Sequence, residues 1–543
     1  MAFGILEPVP SIIPSGTNLL ENLRNASDPD GVEMRLILVP KPSDSPLDPL
    51  NWPRYKKEFL FATIVFGACA AGSLGPVLVP GFTVVATLLD VHLTDMALLN
   101  GSLIMTLGVS AYLCPCIAEV YGKRMVYLVT TIIIVAGCCW AGAANSYNSL
   151  LAARAIQGLG MGDFYAMAGT ASITDVFFVH ERGRRIGFWN FSVMISNNLT
   201  PIVSGYVISS VSWNWSFWLL AILWVVILAA TLACFPETTF YRNTGLDNSV
   251  EVDISGDNSN PPQEKLDKSA PTISLPSHEI RSLDVERYSQ ISSWKYHFGF
   301  GAVKFRNQSR VFKLCLDPII LLAHPAVLWG CLMWSVVFTW IILIGAVVSQ
   351  IFGAEPYNMS TTAVGNLAGI APLIGSTIGT LTAGWACDKI VGYLALRNRG
   401  MYEPEFRLLI IIPAFIAMAI GGFGLGAAIH KELSPVTCGV FMAILNFAVG
   451  AGCTGVVAYT NDVCGQRSGE AFGLAMIIKS AFAFGLTFVF NDYYSAAGPL
   501  KYFSTFTALT LGIMLTTIPM YVFGKRIRAW ADTTTALTFS GPR

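Results

Sequence analysis

Charged residues are scarce in this chain. Asp, Glu, Lys and Arg make up 13% of its 543 residues, about half the share of a typical soluble domain. The chain has 34 basic and 34 acidic side chains. It therefore has no net positive charge that would favour binding to nucleic acid. The sequence also lacks a Walker A loop, a nucleophile motif and a metal-ligand cluster. We therefore expect no enzyme, no ATP-driven pump, no catalytic residue, no metal and no cofactor.

The start of the chain lacks the pattern of a cleavable secretory signal. Residues 1–53 are polar and proline-rich, with no apolar core behind a basic start. We expect the first apolar stretch to direct membrane insertion instead. The cysteines follow no redox or zinc spacing, since Cys114 and Cys116 are separated by one proline. We interpret them as small packing residues.

Long apolar stretches are what the chain has in abundance, and 53% of its residues are hydrophobic. A helix needs about 20 mostly apolar residues to cross a bilayer, where its own hydrogen bonds must satisfy the backbone. We predict an all-α polytopic membrane protein with twelve transmembrane helices in two pseudo-symmetric groups of six. The predicted spans are centred on Phe66, Met105, Ile132, Gly162, Ile195, Leu223, Leu332, Ile374, Phe415, Asn446, Phe484 and Ile513.

A polar segment divides the two groups of spans. We predict a tail over residues 1–57, a first bundle over 58–237, a linker over 238–320, a second bundle over 321–524 and a tail over 525–543. The first part of the linker, rich in Pro, Ser, Asp and Lys, is typical of disorder. Residues 294–313 mix bulky apolar and basic side chains, a pattern that predicts a helix on the membrane surface.

Lysine and arginine are distributed unevenly between the two sides of the predicted bundle. Sixteen lie in short connections on one side, against Lys431 and Lys501 on the other. Cytoplasmic loops hold the excess of basic residues, so we expect both termini and the linker in the cytoplasm. The plasma membrane is the expected location, with the vacuolar membrane as the alternative. Asn358 starts a sequon in a loop of the opposite side, and we expect it to be glycosylated.

The fourth span carries the most informative polar pattern. Arg154 lies one turn into it, and Gln157 and Gly158 follow on the same helical face. A buried arginine in a membrane helix points into the helix bundle or a cavity. The alternative is that Arg154 is a structural residue whose side chain extends to the outer membrane interface. Gly158 and Gly162 allow a neighbouring helix to approach closely. We expect Arg154 and Gln157 to take part in substrate binding or proton coupling.

Two further charges lie near the middle of the membrane, Asp163 in span 4 and Lys479 in span 11. An isolated charge at that depth costs at least a few kcal/mol. Asp163 is either a carboxylate that takes up and releases a proton, or a silent partner of Lys479 or of neighbouring hydrogen-bond donors. Nine residues at 100° each place Asp163 about opposite Arg154 on the helix. The sequence does not decide which of the two faces the cavity.

Other side chains are candidates for the substrate path, the gate and the helix contacts. The path candidates are the amides Asn197, Asn198, Asn366 and Asn446 and the indoles Trp334 and Trp340. Packing or interhelical hydrogen bonding is the alternative role for each of them. The gate candidates lie in the loops after spans 2 and 8: Glu119, Gly122, Lys123, Arg124, Asp388 and Lys389. In span 5, Pro201 and Gly205 predict a kink and close packing.

These patterns, taken in order, resemble the major facilitator superfamily. The span 4 string Arg154-x-x-Gln157-Gly158-x-Gly160 resembles the family's signature for that span. The loop after span 2, from Pro115 to Arg124, is similar to its Gly-x-x-x-Asp-Arg-x-Gly-Arg-Arg motif, with Pro for Gly, Glu for Asp and Val for Arg. A half-motif recurs after span 8, at Gly384 to Lys389.

Further strings resemble the fungal twelve-span drug:proton antiporters within that family. Thr200-Pro201 with Gly205 is similar to the antiporter motif of span 5, and span 6 ends in Pro236-Glu237-Thr238. Fungal-type strings lie at residues 48–53, 180–183 and 403–408. The resemblance implies the major facilitator fold, with two six-helix bundles that rock about a central cavity. It also implies a small-molecule substrate and protons as partners, in a lipid bilayer, with no obligate protein partner.

The leading hypothesis is proton-coupled efflux of amphipathic small molecules such as drugs, toxins or secondary metabolites. The alternative is a proton-coupled uptake permease for a cationic or nitrogenous nutrient such as a polyamine, with Asp163 as its counter-ion. A third class is a receptor or scaffold that keeps the fold without transport. Signalling that survives loss of Arg154 and Asp163 would favour this third class.

Overall fold

The computed structural model describes residues 4–7, 14, 16–19, 48–240, 311–398 and 401–533. Helices account for almost all of these residues, and we number the membrane-crossing segments as spans 1 to 12. Span 1 has three parts, Arg54–Leu74, a 3-10 helix Pro76–Gly81 and Phe82–Leu89. Span 4 joins Tyr147–Gly160, a π-helix Asp163–Ser172 and Ile173–Val176. The other spans of the first half are span 2 Leu93–Tyr121, span 3 Lys123–Gly142, span 5 Val179–Ser210 and span 6 Trp213–Cys234.

The second half repeats this plan. A short helix Val311–Leu316 and a 3-10 helix Asp317–Ala323 lead into it. Its spans are span 7 Pro325–Gly353, span 8 Thr361–Arg397, span 9 Ile411–His430 after a 3-10 helix Pro404–Ile410, span 10 Pro435–Cys464, span 11 Ser468–Thr487, and span 12 Phe490–Met514 continued by Thr517–Thr533.

The all-α, twelve-span prediction is confirmed. Ten of these segments are long and apolar enough to cross a membrane by length and composition. The other two are spans 4 and 5. Span 4 is divided by the change to a π-helix at Asp163, and span 5 holds Asn197 and Asn198 in its middle.

The boundaries differ in detail from the predicted ones. The first span begins at Arg54 rather than at residue 58, and the last helix runs to Thr533, past the predicted end at 524. Residues 241–310, which include most of the predicted linker and of its surface helix, lie outside the described residues. Only its last three residues, 311–313, are described, at the start of the short helix Val311–Leu316. Beyond them, Tyr112 of span 2 donates its hydroxyl to the Cys315 carbonyl.

Local sequence sets where the helices start and turn. Ser146, Ser360 and Ser434 precede spans 4, 8 and 10, and each side-chain oxygen accepts from the backbone N–H three residues later. Such caps satisfy a donor that the first helical turn leaves free. Between spans 2 and 3, Gly122 has φ of 92°, a conformation that a side chain disfavours. The loop can therefore reverse direction in one residue.

The two halves touch mainly where span 1 meets span 7, span 2 meets span 11 and span 5 meets span 8, with smaller contacts of span 12 with span 2 and of span 11 with span 4. We call the end of the bundle that holds Arg54 and Thr533 the tail end and the opposite end the far end. At the far end Thr94 donates to Asp492 at 2.6 Å, and Thr83 and Ser349 share a hydrogen bond of 3.2 Å. Farther in, Asn198 donates to the Ser376 hydroxyl at 3.1 Å.

The contact between spans 5 and 8 does not continue to the tail end. At Gly205 and Gly365 the two backbones pass within van der Waals distance. Toward the tail end, within the described part of the chain, no atom of another helix lies within 4 Å of the Cβ positions of Gly187, Gly384 and Gly392. The described halves are therefore joined from the middle to the far end, and spans 5 and 8 separate toward the tail end.

The amino-terminal residues lie against the second half. Asn18–Leu19 pairs antiparallel with Met401–Tyr402, next to span 9. Leu6 N–H donates to the Val522 carbonyl of span 12 at 3.0 Å, and Ile5 is fully buried. Leu6 and Val522, more than 500 positions apart in the sequence, are thus packed together on the second half.

Candidate substrate and proton site

Arg154 is buried, with 1% of its surface exposed, and is held by neighbouring helices. Its guanidinium donates to the Leu74 carbonyl at 2.6 Å and the Gly75 carbonyl at 3.1 Å, where the α-helix of span 1 ends before Pro76. It also donates to Asn100 in span 2 and Gln157 in its own helix. A helix end leaves carbonyls without intrahelical partners. Arg154 therefore donates hydrogen bonds to the carbonyl groups that the break in span 1 leaves without intrahelical partners.

Gln157 and the glycines of span 4 support the same packing. Gln157 donates to the Gly137 carbonyl of span 3 at 3.1 Å. A Cβ on Gly158 would lie 2.2 Å from the Leu103 carbonyl oxygen, and one on Gly162 would lie 2.4 Å from the Ala111 backbone nitrogen, both in span 2. Span 2 thus passes span 4 at backbone distance.

Asp163 opens the π-helix of span 4 and is fully buried. Thr130 of span 3 donates to Asp163 Oδ2 at 2.6 Å, and the Phe164 N–H donates to Oδ1 at 2.8 Å. Arg154 and Asp163 therefore point to different neighbours, Arg154 to spans 1 and 2 and Asp163 to span 3. π-Helical turns occur often at functional sites, because their weaker ladder can rearrange.

Lys479 of span 11 is buried, with 3% of its surface exposed, and faces two aromatic rings of span 7. Its ammonium lies 3.7 Å from the centre of the Phe338 ring and 4.9 Å from that of Trp334. Trp334 in turn packs against Phe472, with ring centres 5.1 Å apart. Among the described residues, no carboxylate lies within ion-pair distance of Lys479, so the alternative in which Lys479 pairs with Asp163 is not formed in this conformation.

The Lys479 surroundings reach the boundary between the halves. Met476, one turn before Lys479, is buried against Ala111 of span 2 and Ala166 of span 4. Tyr165 and Trp334 border the same cluster and are only half-buried. Span 11 and the π-helix of span 4 thus meet where the resemblance places the central cavity. Two buried charges, Asp163 and Lys479, flank this contact on separate elements.

Of the four candidate asparagines, two lie at the contact between the halves, one bonds within its own helix and one lies near the break in span 1. Asn198 joins span 5 to Ser376 of span 8, and Asn366 donates to the Tyr206 hydroxyl at 3.3 Å nearer the far end. Asn446 donates within its own helix, to the Met442 carbonyl. Asn197 is half-buried near Gly75, at the break in span 1. Asn198 and Asn366 therefore hold the two halves together.

The other candidate indole, Trp340, has a packing role. It is 1% exposed, and its Nε1 donates to Thr510 of span 12 at 2.9 Å. It lies inside the second half, away from the Lys479 rings. Pro201, also a packing candidate, presents its carbonyl to span 8, 2.4 Å from a Cβ on Gly365.

The gate candidates of the first half bind within that half. Lys123 forms an ion pair with Asp175, at the tail end of span 4. The backbone N–H groups of Lys123 and Arg124 donate to the two Glu237 oxygens at 3.1 and 3.2 Å. Arg124 also donates to the Leu232 carbonyl, whereas Glu119 is exposed.

The second half holds the equivalent residues in a similar way. Asp388 lies 3.6 Å from Arg407, which also pairs with Asp462 of span 10. Lys389 is exposed. The sequence predicts a loop after span 8 at Asp388 and Lys389, but both lie within span 8, which runs to Arg397. The ion pairs of both groups stay inside their own half in this conformation, in keeping with the separation of spans 5 and 8 at this end.

Comparison with known proteins identifies the family. The sequence profile of the Major Facilitator Superfamily matches residues 59–488. The chain belongs to the Major Facilitator Superfamily. It is a transporter and not an enzyme.

Relatives and solved structures of this superfamily agree with that assignment. An uncharacterised MFS-type transporter of Schizosaccharomyces pombe is 28% identical over 91% of this chain and 88% of its own length. The probable efflux pump mfs2 of Aspergillus flavus is 24% identical over 80% of this chain and 94% of its own. The MFS antiporter QDR3 of Candida albicans is 21% identical over 92% and 82%. The D-xylose-proton symporter structure covers 85% of this chain and 97% of its own, with a TM-score of 0.56 and 15% identity, and supports the fold alone.

Sequence reasoning missed two polar sites at the tail end of this transporter. Glu237 was noted only as part of a family string, yet its carboxylate caps span 3 and accepts from the Thr238 N–H at 3.0 Å. Arg528 is fully buried and pairs with Glu403 and Glu405 at 3.2 and 2.7 Å. The string at 403–408 held the acids, but their basic partner lies more than 120 residues later.

Three asparagines start sequons at the far end of this MFS transporter, Asn100, Asn214 and Asn358, and they differ in access. Asn358 is exposed, with φ of 45°, in the far-end loop between spans 7 and 8. Asn100 accepts from Arg154, and Asn214 donates to the Gly142 and Ala144 carbonyls. These contacts occupy Asn100 and Asn214, so Asn358 stays the predicted site of modification.

Proposed function

We propose that this transporter exports amphipathic small molecules in exchange for protons, by alternating access. The observation that carries the proposal is the pair of buried charges, Asp163 and Lys479, neither of which has an ionic partner among the described residues. A fold that needs no ion movement has no reason to bear the cost of two such charges, since buried charges in membrane helices are expensive. Lys479 borders the contact between the halves, and Asp163 opens the π-helix whose Ala166 packs at that contact.

The direction of transport rests on orientation and on the relatives. Basic residues concentrate at the tail end, which we assign to the cytoplasm by the excess of Lys and Arg. Spans 5 and 8 separate there, so the described conformation faces inward, and cytoplasmic molecules reach the site from that side. The Aspergillus flavus relative is named a probable efflux pump, and the Candida albicans relative an antiporter. Both names favour export from the cell, and we assign the protein to the plasma membrane.

Asp163 is the proposed proton carrier. Its only donors among the described residues are one hydroxyl and one backbone N–H, which is little support for an ionised carboxylate without water. Loss of the proton therefore favours a conformation in which water reaches Asp163, whereas its uptake favours the sealed one. A ligand that binds one state better shifts the population, and here the proton is that ligand.

Expression in a yeast strain without its own efflux pumps tests this function. Cells receive a panel of amphipathic drugs, polyamines and fungal metabolites, and intracellular levels are followed with and without a protonophore. Export predicts lower accumulation of some compounds, and the protonophore abolishes this difference. Proton-dependent accumulation of a polyamine would instead favour the uptake permease. Unchanged levels for every compound, with the protein located at the membrane, would contradict transport of these classes.

A further inference from the structure

The buried basic residues of this transporter differ in the groups that surround their charges. At the tail end, Arg528 pairs with two glutamates and Lys525 pairs with Glu403. In the membrane interior, Arg154 has backbone carbonyls and two amides as acceptors. Within the described residues, Lys479 has no hydrogen bond or ion pair with a carboxylate or a carbonyl, and its ammonium lies over two ring faces with the Cys453 thiol nearby. Cation–π contacts offset only part of the cost of a charge buried in the membrane.

The position of Lys479 is that of a ligand site rather than a structural support. Trp334 and Phe338 lie against the ammonium, Phe472 packs on Trp334, and all three rings are half-buried. The site borders the contact of span 11 with spans 2 and 4, which belong to the other half. Rings of this kind provide an apolar surface on which an aromatic or alkyl group can stack.

The other buried charge, Asp163, points away from Lys479. Asp163 faces Thr130 and is fully buried between spans 3 and 4. Among the described residues, no carboxylate lies beside the Lys479 rings to accept a cationic substrate. The charge available to a molecule between the halves is therefore positive.

We propose that Lys479 is the counter-charge for the cargo, and that the cargo is an amphipathic organic anion, such as an aromatic carboxylate or sulfonate. Its anionic group would bind the ammonium, and its apolar body would lie on Trp334, Phe338 and Phe472. This inference rests on the proposed export function and names its substrate class. It opposes the permease hypothesis, in which the cargo is a cation.

Three molecules with one ring system and different charge test the proposal: 2-naphthoate, 2-naphthamide and 2-naphthylmethylammonium. Their binding to the purified full-length protein is measured by equilibrium dialysis at neutral pH. We expect naphthoate to bind at least 10-fold more tightly than the amide, and the ammonium compound more weakly still. Equal binding of the three, tighter binding of the cation, or binding of none of them would overturn the proposal.

Variants then locate the charge. K479Q is expected to lower naphthoate binding to the level of the amide without changing amide binding, while K479R keeps the preference for the anion. The matched control is K501Q, because Lys501 is an exposed lysine at the far end. An unchanged preference in folded K479Q would overturn the assignment. If K479Q does not fold, the comparison of the three ligands on the unaltered protein still decides whether the site selects anions.

A transport measurement separates this inference from the proposed function. Proteoliposomes with an imposed proton gradient are loaded with naphthoate and followed for its movement. Charge-selective binding without proton-driven movement would uphold the anion site and contradict proton-coupled export. Proton-driven movement of the ammonium compound in preference to naphthoate would uphold coupling and overturn the anion site.

Discussion

Thr83 Oγ1 and Ser349 Oγ lie 3.2 Å apart, and their hydrogen bond joins span 1 of the first half to span 7 of the second. Alternating access requires this far-end contact to open in every cycle. We expect T83C/S349C to form a disulfide on oxidation, since the two side chains already meet and a disulfide needs Cβ atoms about 4 Å apart. Cross-linking should lower transport at least 10-fold, and reduction should restore it.

The controls for this cross-link come from the same seam. Either single cysteine should leave transport insensitive to oxidant, because the twelve native cysteines are all free and buried or half-buried. G187C/G384C should not cross-link in the unliganded protein, since no atom of another helix lies near either position within the described part of the chain. Efficient cross-linking of that second pair would contradict the inward-facing assignment.

Gly158 permits the closest approach of spans 2 and 4. A Cβ there would lie 2.1 Å from Thr106 Oγ1 and 2.2 Å from the Leu103 carbonyl oxygen. We expect G158A to lower the free energy of unfolding by about 1–3 kcal/mol, the usual cost of overpacking. The melting temperature in detergent measures the effect. G512A is the matched control, because Gly512 is exposed on span 12 and has open space at its Cβ position.

Arg154 should act on stability rather than on cargo choice. R154A removes the donor for the Leu74 and Gly75 carbonyls, and each buried acceptor left without a partner costs about 1–3 kcal/mol. We expect a large loss of thermal stability with R154A and a smaller one with R154K, whose single ammonium cannot reproduce the fork of donors. A folded R154K with normal stability but lost naphthoate binding would contradict this assignment.

Asp163 should be needed for coupling but not for binding. D163N keeps the size of the side chain and an oxygen that can accept from Thr130, but it cannot release a proton. We expect proton-driven export to fall at least 10-fold, while 2-naphthoate binding to the purified protein stays within about twofold, a coupling loss of roughly 1.4 kcal/mol or more. D90N serves as a comparison, because Asp90 is an exposed acid in the far-end turn between spans 1 and 2 and is not among the candidates for the site or the gate. Undiminished proton-driven export by D163N would exclude Asp163 as the carrier.

The sequence predicted the spans well because membrane insertion depends on local composition. Apolar length alone locates ten of the crossings. Spans 4 and 5 needed their motifs, since polar residues and the π-helix at Asp163 weaken the apolar signal. The sequence does not predict the break in span 1 at Pro76, although Pro76 and Pro80 are visible, because a single sequence does not show that Arg154 donates to the freed carbonyls.

The candidate site was less predictable because its partners are distant in sequence. Lys479 and Trp334 were both named as candidates, but on separate grounds, and nothing in their spacing indicated that they lie 4.9 Å apart. The direction in which the Asp163 side chain points depends on its hydrogen bond with Thr130 of span 3, and Thr130 belongs to no recognisable sequence motif. The Arg528 cluster likewise needs the fold to bring spans 9 and 12 together.

The pairing of Asn18–Leu19 with Met401–Tyr402 places the amino-terminal residues on the second half, whereas Asp48 and span 1 belong to the first. Leu19 and Asp48 therefore lie on different halves. A fluorophore at the exposed Gly4 would move with span 12, against which Leu6 is bonded, and its partner at Arg54 would move with span 1. Energy transfer between two positions early in the sequence would then record the rocking of the halves, cycle by cycle, without a label in the transport path.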